Sequence, residues 1–223
     1  MDVKSLLFAN LMLVAMATTL APKKCCFPDQ FESIDGKVVG TTSAGKGVAV
    51  SANYQLAFDY TNQRLAEFAY IEDQGELTKF QYIVDYAKGV EYIIQIASIV
   101  SACSKGKLPP QATMLHCIPD DAIYTGSLYY GDRQINVDVF KFSSQTEPLA
   151  GNITLSVTKG ECIPFNSVVT GQLYDVPTLF VDSFSNYTNG IRDPSKYFTV
   201  PDLCPKSFSN ETTRYVTPFV RIL

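Results

Sequence analysis

GVAVSANYQLAF, residues 47–58, fixes the class of structure. Val48, Val50, Ala52, Tyr54, Leu56 and Phe58 fall on one side of an extended chain, and Ala49, Ser51, Asn53, Gln55 and Ala57 on the other. A period of two sustained this long is the pattern of a β-strand and has no helical counterpart. Downstream, Asp59-Tyr60-Thr61-Asn62-Gln63-Arg64 is a polar turn, residues 65–71 a return strand, and Asp73-Gln74-Gly75 a second turn. Residues 79–86 alternate again, with Phe80, Tyr82, Val84 and Tyr86 on one side. Lys88-Gly89 then turns the chain into a strand whose Val90, Tyr92, Ile94 and Ile96 share a face. Further strands are expected at residues 134–142, 152–158 and 176–183. Residues 104–111 and 120–132 read as turn-rich connections, and 190–204 as an irregular tail pinned by Cys204. No long stripe of helical period interrupts this pattern. The expectation is one mainly β, antiparallel domain over residues 22–223. Its aromatic and aliphatic face would carry Tyr54, Leu56, Phe58, Phe80, Tyr82, Tyr86, Tyr92 and Ile94. Such a face either fills a core or lines a pocket for an apolar ligand, and periodicity does not separate the two.

The 223 residues hold 18 Lys plus Arg, 22 Asp plus Glu and one His, for a net charge of −4. An acidic chain of this kind lacks the basic footprint that nucleic acid requires. With 46% apolar residues it is rich enough to fold. Residues 1–21 resemble a secretory signal: Lys4 precedes an apolar run from Leu6 to Ala17, with small-residue cleavage sites after Ala17 and Ala21. That run is too short for an ordinary transmembrane helix. Three sequons, at Asn152, Asn186 and Asn210, fit the same route and mark expected glycans. So does an even set of cysteines: Cys25, Cys26, Cys103, Cys117, Cys162 and Cys204. In an oxidising lumen they pair, and six cysteines allow 15 pairings. The protein is therefore expected to be secreted and extracellular.

No catalytic constellation survives inspection. Gly40-Thr41-Thr42-Ser43-Ala44-Gly45-Lys46-Gly47 approaches a phosphate loop, but Gly47 stands where a Ser or Thr should hold Mg²⁺, and a strand follows. It reads as a glycine-rich hairpin. No Ser sits in a GxSxG elbow, and His116 is the single histidine, beside Cys117. A calcium loop starting at Asp59 fails, because Arg64 and Tyr70 replace its glycine and its bidentate glutamate. Asp120, Asp121, Asp182 and Asp193 are acids that could meet Ca²⁺, or simply solvated turns. An enzyme is not expected.

Four stretches, in order, resemble the ependymin-related family: Phe58-Asp59-Tyr60-Thr61-Asn62-Gln63-Arg64; Gly89-Val90-Glu91-Tyr92 with Cys103-Ser104-Lys105; Ile118-Pro119-Asp120-Asp121-Ala122; and Cys162-Ile163-Pro164 with Gly190-Ile191-Arg192-Asp193-Pro194-Ser195 and the run from Phe198 to Cys204. Phe31 and Phe140 stand where relatives often carry Trp. The resemblance implies two stacked antiparallel sheets in a half-open book around an apolar pocket, a LolA-like fold. It also implies a homodimer, calcium association, an extracellular or lysosomal location and a link to the extracellular matrix and cell adhesion. From it come the disulfides Cys26–Cys162 and Cys103–Cys204, with the unmatched Cys25 and Cys117 left to join each other. Cys25 and Cys26 are adjacent, and the resemblance does not favour one strongly. Two functions stay open: a carrier of an apolar small molecule or lipid, such as a fatty acid or glycolipid, and a structural, calcium-binding matrix glycoprotein.

Overall fold

The computed structural model describes residues 21–43, 45–73, 76–97, 101–144, 149–173 and 176–208. The expected signal segment and Asn210 lie outside them. Eleven strands, β1 (Gln30–Ser43), β2 (Lys46–Asp59), β3 (Arg64–Asp73), β4 (Glu76–Asp85), β5 (Val90–Ile96), β6 (Ala102–Lys107), β7 (Ile123–Tyr130), β8 (Ile135–Ser144), β9 (Leu149–Thr158), β10 (Pro164–Leu173) and β11 (Val176–Asn189), form one sheet. Their order is β6-β5-β4-β3-β2-β1-β11-β10-β9-β8-β7, antiparallel throughout. Two meanders, β1–β6 and β7–β11, thus meet where β1 pairs with β11. The two antiparallel layers expected from the resemblance are the arms of one hydrogen-bonded sheet.

The connection from β6 to β7 shows that the sheet bends. It joins the two edge strands. Flat, eleven strands would set those edges about 48 Å apart. Residues 108–122 fully extended would reach about 50 Å, but this segment spends length on turns, with Ala112 N donating to Pro109 O and Ala122 N to Pro119 O. The arms must therefore curve toward one another. Leu108, Met114, Ile118 and Ala122 of the connection pack into the same apolar clusters as one face of the sheet, which is hence the inner face.

The connection and the N-terminal segment are stapled down. Cys26 bonds Cys117 and Cys25 bonds Cys162, while Cys103 bonds Cys204. The expected partners of Cys25 and Cys26 are exchanged. Neighbouring side chains on an extended strand point to opposite sides. Phe27 N donates to His116 O and Ile118 N to Cys25 O, so Cys26 is held directly opposite Cys117 and only Cys25 is turned toward Cys162.

Four strands differ from the expectation. β1, β6, β7 and β10 arise from segments without a clean stripe of inward apolar residues, and β6 and β7 run into stretches read as turn-rich, 104–111 and 120–132. The tail holds a short helix, α1 (Pro194–Phe198), capped by Asp193, whose carboxylate accepts from Ser195 N and Lys196 N. It covers the outer face of the β3–β5 arm, where Tyr197 packs with Ala57, Ala66, Phe68, Ile83 and Ile94.

Candidate functional site: an inner face with an apolar end and a charged centre

In-register residues on neighbouring strands share a face, so the ladders assign each side chain. Leu56 pairs with Glu67, Phe58 with Leu65, Glu67 with Tyr82 and Ala69 with Phe80. Tyr54, Leu56, Phe58, Phe80 and Tyr82 therefore stand together on the inner face, with Tyr86 packed against the same clusters. Tyr92 and Ile94 do not join them. The turn between β4 and β5 pairs Tyr82 with Ile93 and Gln81 with Ile94, which throws the even positions of β5 to the outer face. There Ile94 and Tyr92 pack with Tyr197 and Cys103. A shift of one residue in pairing reverses every side chain, and periodicity within β5 cannot report that shift.

At one end of the inner face the burial is mainly apolar and aromatic. Leu56 and Phe58 are 0% exposed. Phe31 stacks on Phe58 with ring centroids 4.9 Å apart, and Phe27 meets Phe58 edge-on at 6.3 Å. Phe140, Leu155, Val169 and Phe180 continue the surface onto the other arm. Phe80, Tyr86, Phe142, Phe184 and Tyr187 are half-buried at its margins.

The centre of the same face carries charge. Asp35 and Lys37 of β1, Glu67 of β3 and Asp182 of β11 are each no more than 6% exposed. Lys37 sits opposite Asp182 on one side and Ala52 on the other. The small Ala52 leaves the lysine room to cross β2. Its Nζ donates to Glu67 Oε1 at 3.1 Å and Oε2 at 3.3 Å, and lies 3.2 Å from Asp35 Oδ2 and 3.6 Å from Asp182 Oδ1. Ser167 Oγ donates to Asp182 Oδ2 at 2.7 Å. Burial pushes the Asp35 carboxyl up to about 7 and Asp182 to about 6, although Lys37 opposes both. For Lys37, burial pulls the other way, but Glu67, Asp35 and Asp182 together raise it well above the ordinary lysine range. Ser33 Oγ, Asp35 Oδ1 and Asp182 Oδ1 have no hydrogen-bond partner. Sequence reading missed this cluster. The signal was present: Ser33, Asp35 and Lys37 alternate with Ile34, Gly36 and Val38, and the polar set is the one that faces inward.

The motif at the β2–β3 turn proves architectural. Asp59 Oδ1 accepts from Gln30 Nε2 at 2.8 Å and from Asn62 N at 3.2 Å, and Arg64 Nε reaches Asp59 Oδ2 at 2.7 Å. Burial raises the Asp59 carboxyl, but these donors overcome it and hold it below its ordinary value. Arg64 also lies 4.0 Å over the Phe198 ring, tying the turn to α1. The other suggested calcium acids are dispersed. Asp120 and Asp121 are exposed on the connection, Asp182 is in the buried cluster and Asp193 caps α1. Among the described residues, the one His/Cys/Asp/Glu set close enough to share an ion is Cys26, His116 and Cys117. Both cysteines are oxidised to a disulfide, so it offers no thiolate ligand or nucleophile. His116 stacks on Tyr60 at 3.7 Å; its Nε2 lies 3.1 Å from Asp29 Oδ1, but not in hydrogen-bond alignment. Asn152 and Asn186 are exposed.

These features define a curved antiparallel sheet whose inner face lies under a disulfide-anchored cover. Residues 74–204 match the family described as Ependymin, and the chain belongs to that family. It is 29% identical to "Development-specific protein LVN1.2" of Lytechinus variegatus over 170 residues, 70% of this chain and 88% of that one. It is 26% identical to "Ependymin-related protein 1" of Haliotis asinina over 202 residues, 86% of this chain and 96% of the relative. "Ependymin-related protein 2" of the same animal is 28% identical over 81% of this chain and 89% of its own. Solved structures that it resembles include an uncharacterised conserved protein of Thermus thermophilus, with 8% identity, TM-score 0.43 and coverage of 76% and 86% of the two chains. A LolA superfamily protein of Nitrosomonas europaea aligns at 9% identity and TM-score 0.35, covering 76% and 89%. The fold itself stands on the strand order.

Proposed function

We propose that this protein is a secreted ependymin-type glycoprotein that binds an apolar molecule, a lipid or fatty-acid-like chain, against the inner face of its sheet. The observation that carries the reading is the cover. The inner face lies under an irregular connection and the N-terminal segment, both tied by disulfides, instead of under a second regular layer. An irregular flap can part over a ligand at less cost than a packed sheet can. The half-buried aromatics Phe80, Tyr86, Phe142, Phe184 and Tyr187 would form the contact surface, flanking Tyr54, Leu56, Phe58 and Tyr82. Secretion rests on residues 1–21, the three disulfides and the sequons. No helix among the described residues is long and apolar enough to cross a membrane. Exposed Ile123, Leu128 and Ile135 beside the β7 edge support a homodimer.

A second reading, a calcium-linked matrix glycoprotein with a filled interior, draws on Leu56 and Phe58, which are completely buried against neighbouring side chains. Titration with fluorescent alkyl alcohols, which carry no charge, across chain lengths separates the two. Each buried CH₂ contributes about 0.8 kcal/mol, so a carrier's affinity rises with chain length until the face is full. Affinity that ignores length removes the carrier reading. Amidase treatment of the secreted protein should lower its mass in three steps, one each for Asn152, Asn186 and Asn210; an unchanged mass removes the glycoprotein reading.

A further inference from the structure

Given that an apolar chain binds the inner face, we infer that Asp35, Glu67 and Asp182 form a recognition site for the protonated amine head of an amphiphile whose tail lies along the neighbouring aromatics. Three carboxylates face a single ammonium, Lys37, at the centre of the sheet. Buried clusters are usually balanced, because every unpaired charge carries its own desolvation cost. This one is over-supplied with acceptors. Ser33 Oγ, Asp35 Oδ1 and Asp182 Oδ1 have no hydrogen-bond partner, although Ser33 is 5% exposed and the two aspartates 2%. An alkylammonium brings one positive charge and three N–H donors, which is what the excess charge and the open oxygens lack.

The surroundings fit a head-and-tail ligand. Asp35 pairs in register with Tyr54, and Glu67 with both Leu56 and Tyr82. Acids and apolar side chains therefore alternate on one face, so a ligand with its amine at Asp35 has its chain on Tyr54, Leu56 and Tyr82. Among the described residues, the other polar groups at the cluster include Ser167, bonded to Asp182; Tyr54, whose ring lies 5.8 Å from Lys37 Nζ and whose hydroxyl burial pushes up against the pull of Lys37; and Glu91, which accepts from Tyr82 Oη at 2.6 Å. A fatty-acid carboxylate would add a fourth negative charge. The same cluster thus selects against the anionic lipid and for the cationic one.

The test uses the full mature protein with Nile red bound, displaced in turn by dodecylamine, dodecanol and dodecanoic acid. At pH 8 the amine should compete at least about tenfold more tightly than the alcohol, with the acid weakest. At pH 5 the preference should shrink severalfold, because Asp35 and Asp182 take up protons while the amine stays charged. Asp35→Asn should cut the preference for dodecylamine over dodecanol about tenfold, with a thermal melt to show that the variant is folded. If it does not fold, the pH series on the unaltered protein reads the same preference. Equal affinity for all three at pH 8, or tightest binding of the acid, overturns the inference and leaves the carrier reading standing. Failure of all three to displace the dye, or of the dye to bind, overturns both.

Discussion

Phe31 and Lys37 lie on the same face of β1 and are buried by opposite means. Around Phe31, the rings of Phe58 and Tyr187 fill space, and no charged group is buried against it. Burial there is stabilising and tolerant of detail, since dispersion and the hydrophobic effect have little directionality. Around Lys37 the same depth removes four charged groups from water. The attraction of the carboxylates for Lys37 offsets part of that cost, and Ser33 Oγ, Asp35 Oδ1 and Asp182 Oδ1 still lack a hydrogen bond. A hydrophobic replacement of equal volume would stabilise such a site at least as well. The apolar end thus explains why the sheet folds, while the ionic centre points to something the sheet binds.

Truncation separates the two regions most sharply. Phe58→Ala should cost about 3 to 5 kcal/mol in urea unfolding, equally at pH 5 and pH 8, because it leaves a cavity and changes no charge. Lys37→Met should cost about 3 kcal/mol at pH 8, by stranding three carboxylates, and visibly less at pH 5, where Asp35 and Asp182 are protonated. A pH-independent loss at Lys37 would erase the distinction.

The unaltered protein should show the same chemistry. Asp35 and Asp182 bind protons more tightly folded, at about 7 and about 6, than their ordinary value of 3.8. Between those values the folded state holds more protons than the unfolded one, so stability falls as pH rises. Chemical denaturation should record a loss of about 4 kcal/mol from pH 5 to pH 8, the larger share from Asp35. Asp59, held below its ordinary value, acts oppositely and only under more acid conditions. A stability that rises over pH 5 to 8 would remove the excess buried charge from the account.

The smallest effect calibrates the rest. Lys88 pairs with Asp85 at 2.6 Å, but its side chain is 77% exposed. Lys88→Ala should move the urea midpoint by no more than about 0.5 kcal/mol in stability, because water screens the pair. A larger loss would mean that exposed pairs here rival the buried one.

Local sequence was enough for the elements whose solvent side and core side differ in polarity. The strands from Lys46 to Ile96, the glycine-rich hairpin and the oxidised cysteines were legible because each is a local pattern. Other features emerged only on folding. β1 hid because the side chains it turns inward are Ser33, Asp35 and Lys37, whose burial is compensated by residues of β3, β10 and β11 far along the chain. Tyr92 and Ile94 went to the other face through a hairpin register that no periodicity encodes. Cys25 and Cys26 exchanged partners because a backbone bridge to Cys117, remote in sequence, fixed which of two adjacent side chains turned which way. Hydrophobic alternation is written in neighbouring residues; charge compensation, register and cross-linking depend on distant ones, and only the folded chain brings those together.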